Sequence, residues 1–195
     1  MKAWFHVAVM TVSVFVLSAH PVVAEADFAD RRMLAESEYQ RGNYDEAVRL
    51  YSELVDAGDP LAQAELDAIY LIETDFMIAA SEYQKKNYEL AIELYEKLAE
   101  TGDPRAYNSL ALIFFNGRGV EPDVDTALNW FNLAIGQGYT RAMTMLGVFY
   151  ERGNQIPKDD EAALRLFRLA ADGGDPVGEK LLGRLCAKEN APAGC

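Results

Sequence analysis

Arg105 and Arg141 stand 36 residues apart in a chain rich in acid, and two guanidinium forks at that interval could grip the carboxylates of an extended partner. Each could equally be spent on a neighbouring acid of its own chain. Other chemistry is sparse. Histidine occurs only at positions 6 and 20, so beyond residue 24 there is none to act as a general base, to activate a serine or cysteine, or to ligate zinc. The two cysteines, Cys186 and Cys195, cannot by themselves complete a four-ligand zinc site, and the sequence implies neither a metal nor a cofactor. Gly117-Arg118-Gly119 lacks the Gly-Lys ending of a phosphate-cradling loop and reads as a turn. The remaining candidates are carboxylates. Asp159-Asp160-Glu161 could supply a hydrolytic acid pair, but acids in that order also suit the positive end of a helix dipole, the simpler reading.

Lys2 precedes an uncharged stretch from Val7 to Ala19, followed by His20, Pro21 and the small-residue site Val22-Val23-Ala24. This pattern predicts a signal peptide over 1–24 with cleavage after Ala24, the alternative site being Ala26. As a helix the stretch would cover about 20 Å, too short for a hydrocarbon core about 30 Å thick. Its loss leaves 17 basic against 31 acidic side chains, a net charge of −14. Such a balance excludes nucleic acid and disfavours anionic membrane surfaces, both of which demand clustered Lys and Arg. Oxidising conditions outside the cell would pair Cys186 with Cys195 and tie down a tail outside the repeats.

What must position any of these residues is a repeat. Gly102, Gly138 and Gly174 recur every 36 residues, and between them Ala106/Ala142, Leu110/Leu146, Gly117/Gly153, Asp123/Asp159, Ala127/Ala163 and Phe131/Phe167 are identical pairs. A second duplication, offset by 44 residues, relates Ser37-Glu38-Tyr39-Gln40 to Ser81-Glu82-Tyr83-Gln84 and Asn43-Tyr44 to Asn87-Tyr88. Apolar positions spaced three and four apart, broken at Gly117-Arg118-Gly119, give each unit two helices. Asp123 and Asp159 are placed as N-caps, the Asp-Pro pairs at 59–60, 103–104 and 175–176 as a cap followed by proline, and Gly58, Gly102, Gly138 and Gly174 as left-handed helix ends. Ala47, Ala91, Ala127 and Ala163 would let helices cross closely, with Tyr51, Tyr95, Phe131 and Phe167 filling the space beside them. Between Pro60 and Tyr88 about eight residues are inserted relative to the later units. Neither Gly nor Pro interrupts 61–101, which favours one long helix over two broken at Thr74.

Ala35-x-x-x-Tyr39-x-x-Gly42-Asn43-Tyr44-Asp45-Glu46-Ala47 resembles a tetratricopeptide repeat. Ala106-x-x-x-Leu110-x-x-x-Phe114-x-x-Gly117-x-Gly119-Val120-x-x-Asp123-x-x-x-Ala127 resembles its 36-residue relative, the Sel-one-like repeat. The fourth unit departs from that pattern with Gln155 and Ile156 where glycine and valine are usual. The resemblance implies an all-α, right-handed solenoid of stacked helix-turn-helix units over roughly 30–185 and a non-catalytic adaptor role. The divisions expected are a signal peptide (1–24), tetratricopeptide-like repeats with an extended helix (25–101), Sel-one-like repeats with a capping helix (102–188) and a tail (189–195). The expected partner is a protein segment or an envelope component, in the periplasm or outside the cell, without membrane insertion after cleavage. Some cysteine-rich members of the family have been labelled β-lactam-binding or hydrolysing. That makes a carboxylate-dependent cell-wall or β-lactam hydrolase the alternative, though this chain has no Ser-x-x-Lys motif. A structural subunit of an envelope complex is the second alternative. If the core takes Leu110, Phe114, Leu146 and Tyr150, then Arg105, Asn108, Phe115, Arg141 and Thr144 are left to line a concave binding wall.

Overall fold

Residues 21–195 are described by a computed structural model as α1 (Pro21–Gln40), α2 (Tyr44–Asp56), α3 (Ala62–Gln84), α4 (Tyr88–Glu100), α5 (Pro104–Asn116), α6 (Val124–Gly136), α7 (Thr140–Arg152), α8 (Asp160–Asp172) and α9 (Pro176–Cys186). Of the expected signal peptide 1–24, residues 1–20 lie outside the described residues, and the cleavage site after Ala24 falls within α1. No strand occurs among the described residues. The helix ends follow from local chemistry. Asp103, Asp123, Asp159 and Asp175 each accept a backbone N–H of the first turn of the helix that follows. Gly58, Gly102, Gly138 and Gly174 all take φ between 80° and 87°, which spares a side chain a left-handed backbone. The Asp59-Pro60 pair departs from the expected cap: Asp59 accepts the Leu61 N–H at 2.9 Å in a turn, and α3 starts only at Ala62. The two short turns of the 44-residue duplication share one device, Asn43 Nδ2 donating to Glu38 at 2.7 Å and Asn87 Nδ2 to Glu82 at 3.0 Å.

Helices pair as α1–α2, α3–α4, α5–α6 and α7–α8, with α9 closing the stack against α8. The stack is an all-α solenoid of hairpin units, in which no single pair could bury its apolar face alone. Ala47, Ala91, Ala127 and Ala163 are fully buried, and Tyr51, Tyr95, Phe131 and Phe167 lie buried beside them. At Gly147 the crossing is so close that a Cβ would come within 2.7 Å of the Phe167 ring. The inserted segment is one continuous helix. Its N-terminal half sends Ala62, Leu66 and Ile69 into the core of the first hairpin, while Ala79 and Phe76 enter the core shared by α4 and α5. Thus α3 acts as a beam common to two units.

Gln155 keeps the left-handed backbone of the glycine it replaces, at φ 61°, and its Nε2 donates to the Phe115 carbonyl at 2.7 Å. That bond satisfies one of the carbonyls left free at the end of α5. Cys186 and Cys195 are joined, with their Cα atoms 5.4 Å apart. The tail they close does touch the repeats, contrary to the sequence reading. Arg168 donates to the Gly194 carbonyl at 2.7 Å, the Ala193 N–H donates to Glu161 at 3.1 Å, and Lys188 reaches Glu151 at 2.7 Å. The reason is length: the loop is long enough to fold back over α8 instead of trailing from α9.

Candidate functional site

The polar residues of the inner wall sit where consecutive first helices, α1, α3, α5, α7 and α9, meet. At the first junction Arg32 of α1 donates to both Asp59 oxygens at 2.7 Å. Burial works against that carboxylate, yet the Leu61 amide and the Arg32 guanidinium hold it below the ordinary range. At the last junction Thr144 donates to Asp175 at 2.5 Å. The α3–α5 junction is the most elaborate. Arg105 donates to Asp103 through Nε at 3.1 Å and Nη2 at 2.7 Å, and its Nη1 lies 2.5 Å from Glu73 of α3. The guanidinium is clasped between rings, its Cζ 3.8 Å from the centre of Tyr44 and 4.5 Å from that of Phe76. Burial alone would loosen its proton, but the hydrogen bond and charge of Asp103 outweigh this and fix Arg105 in the charged form.

The α5–α7 junction lacks the acid. Tyr139 occupies the place that Asp175 holds 36 residues later, offers α7 no side-chain cap, and lays its ring over Gly42, where a Cβ would meet it at 3.0 Å. Asn108, 36 residues before Thr144, is buried with its Oδ1 lacking a donor among the described residues. Burial raises the pKa of Tyr39, Tyr44 and Tyr139, with the charge of Asp103 adding to the effect and that of Arg105 opposing it. The middle of the wall is therefore plugged by an arginine, two carboxylates and three phenols.

The expectation of an open wall is corrected at four of its five positions. Arg105 is only 6 % exposed and is consumed by Asp103 and Glu73; Asn108 and Thr144 are buried at their junctions. Phe115 is fully buried, stacked on Phe149 of α7 at 3.9 Å between ring centres, whereas Phe114 and Tyr150, assigned to the core, are half-buried. The sequence reading gave each first helix two faces. In a solenoid an inner helix has three covered sides, since the first helices of the units before and after also press on it. Only Arg141 is exposed, beside Thr140. The sequence signal that could have found the plug was Tyr139 breaking the Asp-Pro series at 59, 103 and 175.

Several clefts stay open, among them two of about 480 Å³ beside Tyr44 and Glu73 and beside Arg32 and Tyr51, and one of the same size between the α1–α2 turn and the ends of α7 and α8. Arg41, Asn43, Thr140, Met143, Leu169 and Asp172 line it, an apolar floor between charges of opposite sign. A further, shallower groove of about 630 Å³ runs between α8 and the tail and contains the acid cluster. There Asp159 caps α8, Asp160 pairs with Lys158 at 2.8 Å and Glu161 accepts the Ala193 N–H, so each acid is engaged within the chain. Among the described residues no group of three or more His, Cys, Asp or Glu could hold a metal ion, and no helix is long and apolar enough to cross a membrane.

Comparison with known proteins agrees with this geometry. The Sel1 repeat pattern matches residues 80–103, 104–139 and 140–175, and a tetratricopeptide repeat pattern matches 32–67. The first Sel1 match thus begins within α3. A Sel1 repeat protein from Oxalobacter formigenes is 26 % identical, with a TM-score of 0.54 over 84 % of this chain and 80 % of that one. The protective antigen c5321 of uropathogenic Escherichia coli strains, which displays an SLR fold, is 23 % identical with a TM-score of 0.50; the match covers 83 % of this chain and 34 % of that one, and shows a shared fold. No curated protein matches the sequence.

Proposed function

Because this chain is built from Sel1 repeats over 80–175 behind a tetratricopeptide repeat over 32–67, folds that generally mediate protein–protein contacts, we propose that it is a non-catalytic scaffold exported to the periplasm or beyond. The observation that carries the reading is the cleft between the α1–α2 turn and the ends of α7 and α8, which joins an apolar floor to charges of opposite sign. With the middle of the wall plugged, the space walled by Arg41, Met143, Leu169 and Asp172 is where an extended protein segment can lay an apolar side chain between two polar rims. Exposed Arg141 follows Thr140 of its lining in sequence and suits a carboxylate on the same partner. Export is supported by the signal-like segment 1–24 and by the closed Cys186–Cys195 pair, which fits an oxidising compartment.

Two measurements test this. The intact mass of the exported protein is expected to correspond to a chain starting at Glu25; a mass that retains residues 1–24 rejects the export reading. Purified protein should retain a partner from the envelope fraction, and a Leu169→Glu/Arg141→Glu variant with unchanged helicity should lose it. Undiminished capture by that variant discards the cleft. Turnover of a cell-wall or β-lactam substrate, abolished by Asp160→Asn, would replace the scaffold with the hydrolase.

A further inference from the structure

The inserted part of α3 leaves one helix face bare. Tyr70, Leu71, Met77 and Ile78 are 51, 64, 69 and 46 % exposed, and with Thr74 they form a single stripe, because positions 70, 74, 77 and 78 fall on one side of a helix of 3.6 residues per turn. Apolar surface concentrated in this way on a soluble domain marks a contact. Met33 and Leu34, one 44-residue repeat earlier on α1, are exposed as well.

The order of residues along the stripe says what covers it. Reflected through Thr74, Tyr70 falls on Ile78 and Leu71 on Met77, so an antiparallel copy of α3 meets large residues with large ones and brings two small threonines together at the crossing point. A self-complementary patch of this kind is what a twofold interface requires. Charge agrees. The N-terminal part of α3 carries exposed Glu65 and Asp67, and the chain just after its C-terminus carries exposed Lys86 beside Lys85, the latter already bonded to Glu82 at 2.7 Å, so antiparallel pairing sets the acidic end of each helix near the Lys86 end of the other. Glu73 and Asp75, next to the crossing, face cations of their own chain, Glu73 the Arg105 it shares with Asp103 and Asp75 Lys97 at 3.7 Å. The exposed fractions amount to about 500 Å² of side chain per copy, hence about 1,000 Å² for a pair, the lower limit of a specific interface.

We infer that the protein forms a homodimer through α3, with Thr74 on the twofold axis. A dimer held by a contact of this size is reversible, so its weight-average mass in sedimentation rises with concentration from one chain toward two. Leu71→Glu/Met77→Glu, which sets like charges across the axis without touching the core, should return it to one chain at every concentration while circular dichroism stays unchanged. Thr74→Cys should cross-link under oxidation into a covalent dimer, whereas Glu93→Cys on the far side of α4 should not. A wild-type chain that sediments as a monomer throughout overturns the inference. So does a dimer that survives the double glutamate variant, or a Thr74→Cys chain that cross-links no better than Glu93→Cys.

Discussion

The guanidinium of Arg105 lies over the ring of Tyr44, 3.8 Å from Cζ to ring centre, although the two residues belong to different repeats. Asp103, fully enclosed, and Glu73 complete its coordination. An arginine that looked free in the sequence is thus the knot joining the first, second and third hairpins.

Removing that knot should be costly. Arg105→Ala strands two carboxylates in a desolvated site, and chemical denaturation is expected to show a loss of about 3–5 kcal/mol. Arg105→Lys keeps the charge but cannot span Asp103 and Glu73 while covering Tyr44, so it should recover only part of the loss. A fully stable Arg105→Ala protein would show the cluster to be ornamental.

Alkali should expose the buried phenols. Desolvation raises Tyr39, Tyr44, Tyr51, Tyr95 and Tyr139 above the ordinary value. Since the folded pKa exceeds the unfolded one, their contribution to stability is complete below the unfolded pKa of about 10 and is lost as pH rises from there through the folded values. Tyrosinate absorbance should therefore rise in two steps, the second coinciding with loss of helical ellipticity. Tyr44→Phe removes a buried hydroxyl that has no hydrogen-bond partner among the described residues, so it should be neutral or stabilising by about 1 kcal/mol and move the second step to higher pH.

Among the described residues Lys86 and Gln155 take left-handed backbone without being glycine, and they should answer differently to glycine. Lys86, at φ 65°, is exposed and occupies the place of Gly42 one repeat earlier, so Lys86→Gly should stabilise by about 1 kcal/mol. Gln155→Gly relieves the same strain but loses the bond to the Phe115 carbonyl, and the two effects should nearly cancel. Thermal denaturation of both variants side by side distinguishes them.

Reduction of Cys186–Cys195 should cost about 2–3 kcal/mol by the chain-entropy relation for so short a loop. Amide exchange is expected to speed up at Ala193 and its neighbours, where the tail lies on α8, while the helices up to α8 keep their protection. Collapse of all helicity on reduction would mean that the tail supports more than the last hairpin.

Most of this architecture was legible in the residues. Alanines, caps and left-handed glycines obey local rules that act within a turn or two, and the 36- and 44-residue registers carried them through the chain. The site was not legible to the same degree. Whether Arg105 or Phe115 meets solvent depends on residues a whole repeat or more away, Tyr44, Phe76 and Phe149, whose approach is set by the superhelical path and not by any local pattern. Only Tyr139, out of place in a series of aspartates, hinted at the closure.

Tyr139 over Gly42 joins the first hairpin to the start of the fourth, three places further on. In a stack where units touch only their immediate neighbours, the terminal repeat is free to fray independently, and unfolding can spread inward step by step. A contact that skips two hairpins changes the arithmetic: α1 and α2 cannot leave without uncovering Tyr139 at the start of α7, and α7 cannot leave without withdrawing that ring from Gly42, beside Tyr44. The molecule is thereby made to melt as one body, more like a globular domain than a chain of separable links.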